Sequence, residues 1–431
     1  MVEIKEFMGL LVLLIIIGGF ILRAKKPKIP AWSIMSFAGS ISVLFGLIPI
    51  DKLNYIINWN LILLLIGMFS IVGIIEESGL IDYFIIKLSR LTKSKTLLLY
   101  IFSLFFAIAA SFMVNDAVAI FGVGFLPMIS RILDMPLEPL AFLLVFSITI
   151  GSAMTPIGNP QNMLIATEAS ISAPFVTFFK YLAVPTFINL CLTTYILAKI
   201  YRVKRGNRYL NPGLLIQKNY LRNKRDAYVG LIGLALTIFL MLLNDFLEMF
   251  RLPHVTQIGL IPFVIASFSY IFVSSPREVL SKVNWSAIIF FIAMFIASQG
   301  IWNSTLLSYP LHYLLPRLMN NTSGFLRITL ISLLFSQLLS NVPFTNIFIL
   351  YLHNLGYSSR DVLSWITFSM SSTIAGNFTI LGAISNVIIL DSLETRFNTS
   401  ISYARFIKLG VMITLVNVSI YLLYIIALSY L

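Results

Sequence analysis

Ser152 to Ala166 reads S-A-M-T-P-I-G-N-P-Q-N-M-L-I-A, apolar at both ends and broken in the middle. Two prolines (Pro156, Pro160), a glycine (Gly158) and three amide side chains (Asn159, Gln161, Asn162) sit where a lipid-facing helix needs unbroken i to i−4 hydrogen bonds. Backbone freed at membrane depth has to line a cavity. The stretch therefore predicts a transmembrane helix interrupted at a site.

The pattern returns once. Thr379 to Ile389, T-I-L-G-A-I-S-N-V-I-I, matches Thr155 to Ile165, T-P-I-G-N-P-Q-N-M-L-I, in threonine, glycine and asparagine at a constant offset of 224. At an offset of 226, Asn58-Trp59 matches Asn284-Trp285, each opening an apolar run, and Asn115 falls on Asn341. Interrupted hydrophobic segments at corresponding positions of two halves point to a transporter's binding site.

The composition sets the solvent. With 58% hydrophobic and 11% charged residues and a mean hydropathy of +0.94, the 431-residue chain lies far from soluble proteins, where charged residues make up about 25%. It reads as an all-α polytopic membrane protein with the lipid bilayer as its partner. Residues 7–22 carry no cleavage-site pattern and read as a first span, not a signal peptide. The single cysteine, Cys191, excludes an intrachain disulfide or a multi-thiol site. A net charge of +13 gathers in the loops, a pattern of membrane topology, so no nucleic-acid partner is implied.

Apolar runs long enough to span occur at 7–22, 31–50, 60–79, 141–166, 175–200, 227–244, 256–274, 285–306, 363–390 and 405–430. Two longer regions, 96–133 and 326–356, break at Ser111 to Asp116 and at Ser336 to Asn341 and read as re-entrant hairpins. Placing 23–30, 80–96, 131–140, 199–226, 275–284 and 391–408 in the cytoplasm collects 23 of the 30 basic residues there. Residues 1–200 and 227–431 then form two repeats of five spans and one hairpin each, joined by a basic cytoplasmic linker, 201–226. An odd number of crossings inverts the second repeat, and the hairpin tips meet near the midplane. Trp32, Trp59, Trp285 and Trp365 fall at span ends, as interfacial anchors do.

Asp116, in V-N-D, is the only acid deep within a predicted span or hairpin, where an unpaired carboxylate costs several kcal/mol. Its ordinary alternative is a helix cap. The second tip, S-N-V-P-F-T-N from Ser340 to Asn346, offers only neutral oxygens and amides. Helix N-termini behind such tips suit an anion, while hydroxyl and carbonyl oxygens suit sodium. Polar residues that merely glue helices are common too, but two matched pairs of breaks argue against that for the whole set. Glu76, Glu77, Glu168 and Asp391 read as interfacial. His254, His312 and His353 lack the mutual spacing of a zinc site or proton relay, and no motif for ATP-driven pumping or hydrolysis occurs.

V-N-D at 114–116, T-P-I-G-N-P-Q-N at 155–162, S-N-V-P at 340–343 and G-A-I-S-N at 382–386 resemble the ion transporter superfamily, in particular its arsenite permease and NhaD-like sodium/proton antiporter branch with a citrate transporter-like domain. The resemblance implies an elevator-type secondary carrier in the plasma membrane, usually a homodimer, with no cofactor beyond sodium or protons as coupling ion. It implies substrate or ion contacts at Asn115, Asp116, Thr155, Gly158, Asn159, Asn162, Ser340, Asn341, Thr379, Gly382, Ser385 and Asn386, with sodium at Asn115, Gly158, Asn341 and Gly382. Sodium/dicarboxylate members carry Ser-Asn-Thr at each tip; this chain has Val114-Asn115-Asp116 and Ser340-Asn341-Val342, which counts against dicarboxylate specificity.

The function expected is therefore a permease for a small inorganic or carboxylate anion, arsenite-like or related, coupled to protons or sodium and not an enzyme. The alternatives are a sodium/proton antiporter and, from another class, an intramembrane enzyme or receptor. One shared cavity is expected among Asn115, Gly158, Asn162, Asn341, Gly382 and Asn386. Gly158→Ala and Gly382→Ala are expected to impair ion binding more than folding, and Asn398→Ala to be nearly silent.

Overall fold

The computed structural model describes residues 2–26, 29–203, 221–306 and 321–430. Most of the arm 201–226 and His312 lie outside the described residues. Before the arm the helices are α1 (Val2–Lys25), α2 (Ala31–Leu44), α3 (Leu53–Ile56), α4 (Trp59–Glu77), α5 (Leu80–Ser89), α6 (Lys95–Met113), α7 (Asn115–Leu133), α8 (Leu137–Ser152), α9 (Pro160–Glu168) and α10 (Pro174–Ile200). After it come α11 (Lys224–Met249), α12 (Leu260–Ser269), α13 (Pro276–Lys282), α14 (Trp285–Asn303), α15 (Thr322–Leu339), α16 (Asn341–Asn354), α17 (Val362–Ile374), α18 (Ile384–Phe397) and α19 (Tyr403–Ser429). Among the described residues no strand forms, and nine helices are long and apolar enough to cross a membrane. Large apolar side chains such as Phe7, Leu334 and Leu423 face outward, while Thr149, Ser152, Thr373 and Asn377 are buried inside. That distribution suits a hydrocarbon solvent.

The repeated Asn-Trp pairs have a local physical role. Asn58 and Asn284 each begin a helix by accepting a hydrogen bond from the backbone N–H three residues on, Leu61 at 2.9 Å and Ala287 at 3.1 Å. Trp32, Trp59 and Trp285 are partly exposed, whereas Trp365 is fully buried and donates through Nε1 to the Ser358 carbonyl at 2.9 Å. Trp365 is thus a core residue and not the interfacial anchor that its place at a span end implied. The apolar run 31–50 ends as a helix at Leu44, because Gly46 (φ 69°) and Pro49 turn the chain.

Packing partners come in pairs. α2 lies along α14 and α12 along α4; α6 packs on α8 and α15 on α17; α7 meets α18 and α16 meets α9; α10 pairs with α19. The α6–α7 and α15–α16 hairpins turn on Val114 (φ 64°) and Ser340 (φ 67°), which are 226 positions apart. Left-handed backbone at a residue other than glycine costs roughly 1–2 kcal/mol and is unusual for a β-branched side chain. Strain of this kind persists where the surroundings over-determine it, and it clusters at functional sites.

Candidate functional site

The chain breaks twice near these tips, and each break frees carbonyls that need donors. Between α8 and α9, Asn162 Nδ2 lies within hydrogen-bonding distance of the carbonyls of Ser152 (3.0 Å), Ala153 (3.3 Å) and Thr155 (3.0 Å). Its Oδ1 accepts from Ser369 (2.7 Å) and Thr373 (2.9 Å) on α17. Asn159 caps α9 by accepting from the Asn162 N–H at 2.8 Å, and its amide reaches Ser152 and Thr373. Thr155 donates to the Ser111 carbonyl, and Ser111 donates to that of Gly151. The Gly158 carbonyl accepts from the Asn115 N–H at 2.8 Å, which locks the first hairpin tip onto the first break. A side chain at Gly158 would overlap the Ser152 carbonyl, so this glycine is required by backbone approach.

The second break, between α17 and α18, is built more loosely. Asn386 Nδ2 donates to the carbonyls of Gly376 (2.6 Å) and Thr379 (3.2 Å), as the motif match to Asn162 implies. Gln337 donates to the Ala375 carbonyl at 2.9 Å and accepts from the Thr379 hydroxyl at 2.7 Å. Several buried polar atoms here have no partner among the described residues: Asn341 Oδ1, Ser385 Oγ, Asn386 Oδ1 and both side-chain heteroatoms of Asn377. Across from them, Asn115 Oδ1 is also unpaired. Each such atom costs roughly 1–3 kcal/mol when buried unsatisfied.

A cavity of about 20 Å³ lies between the two tips and the two breaks, lined by Asn115, Asp116, Pro160, Gln161, Phe291, Ser340, Asn341, Val342, Ala383, Ile384 and Ser385. A volume on this scale is roughly one water-sized probe. Four helices, α7, α9, α16 and α18, begin at its wall, each bringing about half a positive charge from its N-terminus. Asp116 supplies the only formal charge among the lining residues. It is 6% exposed, makes no ion pair among the described residues, and the first turn of α7 has no side-chain cap bond. The helix-cap alternative thus has no hydrogen bond behind it.

Of the residues singled out from the sequence, Asn115, Asp116, Ser340, Asn341 and Ser385 line the cavity. Thr155, Gly158, Asn159, Asn162, Thr379, Gly382 and Asn386 form the frame around it. Gln161 and Phe291 line it too, and Gln337 and Asn377 support it; Gln161 is betrayed by its place in the broken stretch, whereas Phe291, Gln337 and Asn377 carry no motif. Asp245 is fully buried as well, away from the cavity near the end of α11, where its carboxylate accepts from the Val176 N–H at 3.0 Å.

Buried polar breaks converging on one cavity in a bundle of apolar helices define a membrane transporter. Residues 11–370 match the family model described as citrate transporter, and the chain belongs to that family. The ion-transporter resemblance carried by the four motifs is borne out at this level. Among relatives, the "46 kDa membrane protein" of Mycobacterium leprae is 24% identical over 84% of this chain and 85% of its own length. The "Putative transporter arsB" of Dictyostelium discoideum is 28% identical over 41% of this chain and 31% of its own. The solved structure of the Alcanivorax borkumensis YdaH transporter shares the fold, with a TM-score of 0.56 at 15% identity over 88% of each chain. The protein is therefore an integral membrane transporter.

Proposed function

We propose that the chain is a secondary active permease of the plasma membrane that moves a small inorganic or carboxylate anion, coupled to protons or sodium. The observation that carries this reading is the meeting of four helix N-termini, one carboxylate and unpaired amide and hydroxyl oxygens at a single small cavity. Four N-termini at about +0.5 each outweigh one carboxylate, leaving a surplus that favours an anion. Asp116 and the unpaired oxygens of Asn115, Asn341 and Ser385 are the groups for a proton or sodium ion. The family's name and the arsB relative make citrate-like carboxylates and arsenite the first candidates.

The mechanism we infer is alternating access by two inverted repeats working as an elevator in a homodimer. What supports two related repeats is the paired packing, with α2 on α14 answered by α12 on α4, and cavity residues related by the sequence offsets, Asn115 with Asn341 and Gln161 with Ser385; their inversion rests on the odd number of spans read in each half. The second reading, a sodium/proton antiporter without an anionic substrate, draws on Asp116 as the lone formal charge.

Flux into proteoliposomes under imposed sodium and pH gradients, with citrate, arsenite and other small anions offered singly, separates the two. Uptake of one anion driven by either gradient supports the permease. Sodium flux driven by a pH gradient with no anion dependence supports the antiporter, and no gradient-driven flux of any of these ions overturns both.

A further inference from the structure

A second cavity, of about 250 Å³, lies outside the proposed ion site. It opens between α11 and the first hairpin, and its walls, among them Phe84, Ala109, Phe112, Leu231, Leu234 and Ile238, are all apolar. Such a space stays dry and takes apolar matter. Its counterpart against α1, lined by Leu13, Phe335 and Ile347 among others, holds only about 70 Å³. Phe335 stands 226 positions after Ala109, so an aromatic ring lines the smaller crevice where a methyl group lines the larger.

The end of the larger crevice tells what fills it. Positions 224, 231 and 238 repeat every seven residues, so Lys224 shares the α11 face of Leu231 and Ile238, about 10 Å up the helix. Lys224 and Arg225 are exposed and make no ion pair among the described residues. The neighbouring acids are engaged: Asp82 lies 4.0 Å from Arg222, Glu76 and Glu77 each lie 3.8 Å from Lys282, and Asp226 accepts from Ser274. Lys87, over the Tyr83 ring, adds positive charge on α5. At the smaller crevice, the corresponding end of α1 carries both Lys5 and Glu6.

We propose that the larger crevice holds an acyl chain of one anionic phospholipid, with its phosphate against Lys224 and Arg225. The lipid would wedge between α11 and the α6–α7 hairpin, whose tip bears Asn115 and Asp116. Native mass spectrometry of detergent-purified protein, titrated with phosphatidylglycerol and with phosphatidylcholine of identical chains, tests this. Wild type should retain phosphatidylglycerol more tightly, by about fivefold for each of the two basic residues, equivalent to about 1 kcal/mol per charge. Replacing Lys224 and Arg225 by Gln together should abolish the preference, and Ala109→Phe, which copies Phe335, should abolish tight binding of either lipid. Equal retention of both lipids by wild type, or full retention by a folded Ala109→Phe variant, overturns the proposal. Should Ala109→Phe fail to fold, phosphatidylglycerol with a photoreactive group in its tail should crosslink wild type within 105–113 or 231–238; labelling only elsewhere overturns it equally.

Discussion

The two broken helices have the same motif and opposite economies of hydrogen bonding. At the first break Asn162 spans three carbonyls and two hydroxyls, Asn159 is likewise engaged, and Gly158 is pressed against backbone. At the second, Asn386 holds two carbonyls and leaves its oxygen unpaired, as do Asn341, Asn377 and Ser385. Donors explain the difference. Thr373 and Ser369 of α17 reach Asn162, whereas Thr149, 224 positions before Thr373, bonds the carbonyl of Val145 on its own helix. Both copies of the motif frame the cavity, but the second also leaves oxygens without partners among the described residues. A repeated motif therefore marks a repeated backbone break without implying a repeated task.

The contrast is broken most severely at the two matched asparagines. Asn162→Ala strips donors from buried carbonyls and should cost about 3–6 kcal/mol at roughly 1–3 kcal/mol per unmet group. Asn386→Ala loses fewer bonds and also removes an unpaired oxygen, so it should cost about half as much while weakening ion binding. Melting temperatures of the purified variants and ion-induced stabilisation check both. Equal melting losses would erase the distinction between frame and ligand.

The glycines sharpen it at smaller scale. Because a methyl at Gly158 would collide with the Ser152 backbone, Gly158→Ala should be a folding defect of about 1–3 kcal/mol, against the expectation that ion binding would be impaired more than folding. At Gly382 the added atom would sit 2.9 Å from the Ala375 carbonyl and 3.0 Å from Gln337 Oε1. Gln337 can swing aside but the carbonyl cannot, so Gly382→Ala should melt between wild type and Gly158→Ala. The reverse order in a thermal melt would contradict the packing described.

Outside the site, Asn398 takes a left-handed conformation (φ 50°) at the C-terminal cap of α18. Asn398→Ala is therefore not silent: it should cost roughly 0.5–1 kcal/mol, and Asn398→Gly should cost less. A melt of Asn398→Ala indistinguishable from wild type would remove the αL argument.

How far the sequence could be read follows from the same physics. Proline, glycine and asparagine inside apolar runs interrupt backbone bonding, and so both breaks and both hairpin tips were legible, as was Asp116, the one acid lining the cavity. Hydrogen-bond traffic was not. Nothing local distinguishes Asn162, saturated by residues more than 200 positions away, from Asn386, which lacks such donors. Gln337 sits in ordinary helical sequence and Asn377 in the short 3-10 turn that follows α17, and both matter only through tertiary placement. The turn at Val114 runs against local preference, because a β-branched residue is among the last expected at positive φ. Trp365 misled for a related reason: an indole at a span end reads as an anchor until the Ser358 carbonyl and surrounding side chains bury it.

In the proposed function Asp116 is the coupling group of a cavity whose other lining residues are neutral. Asp116→Asn keeps the side chain's shape and hydrogen-bonding capacity and removes its titratable charge. Proteoliposomes with wild type should show ion uptake that responds to an imposed sodium or pH gradient, and Asp116→Asn at equal reconstitution should lose that response or stop transporting. Undiminished gradient dependence in Asp116→Asn would contradict the assignment.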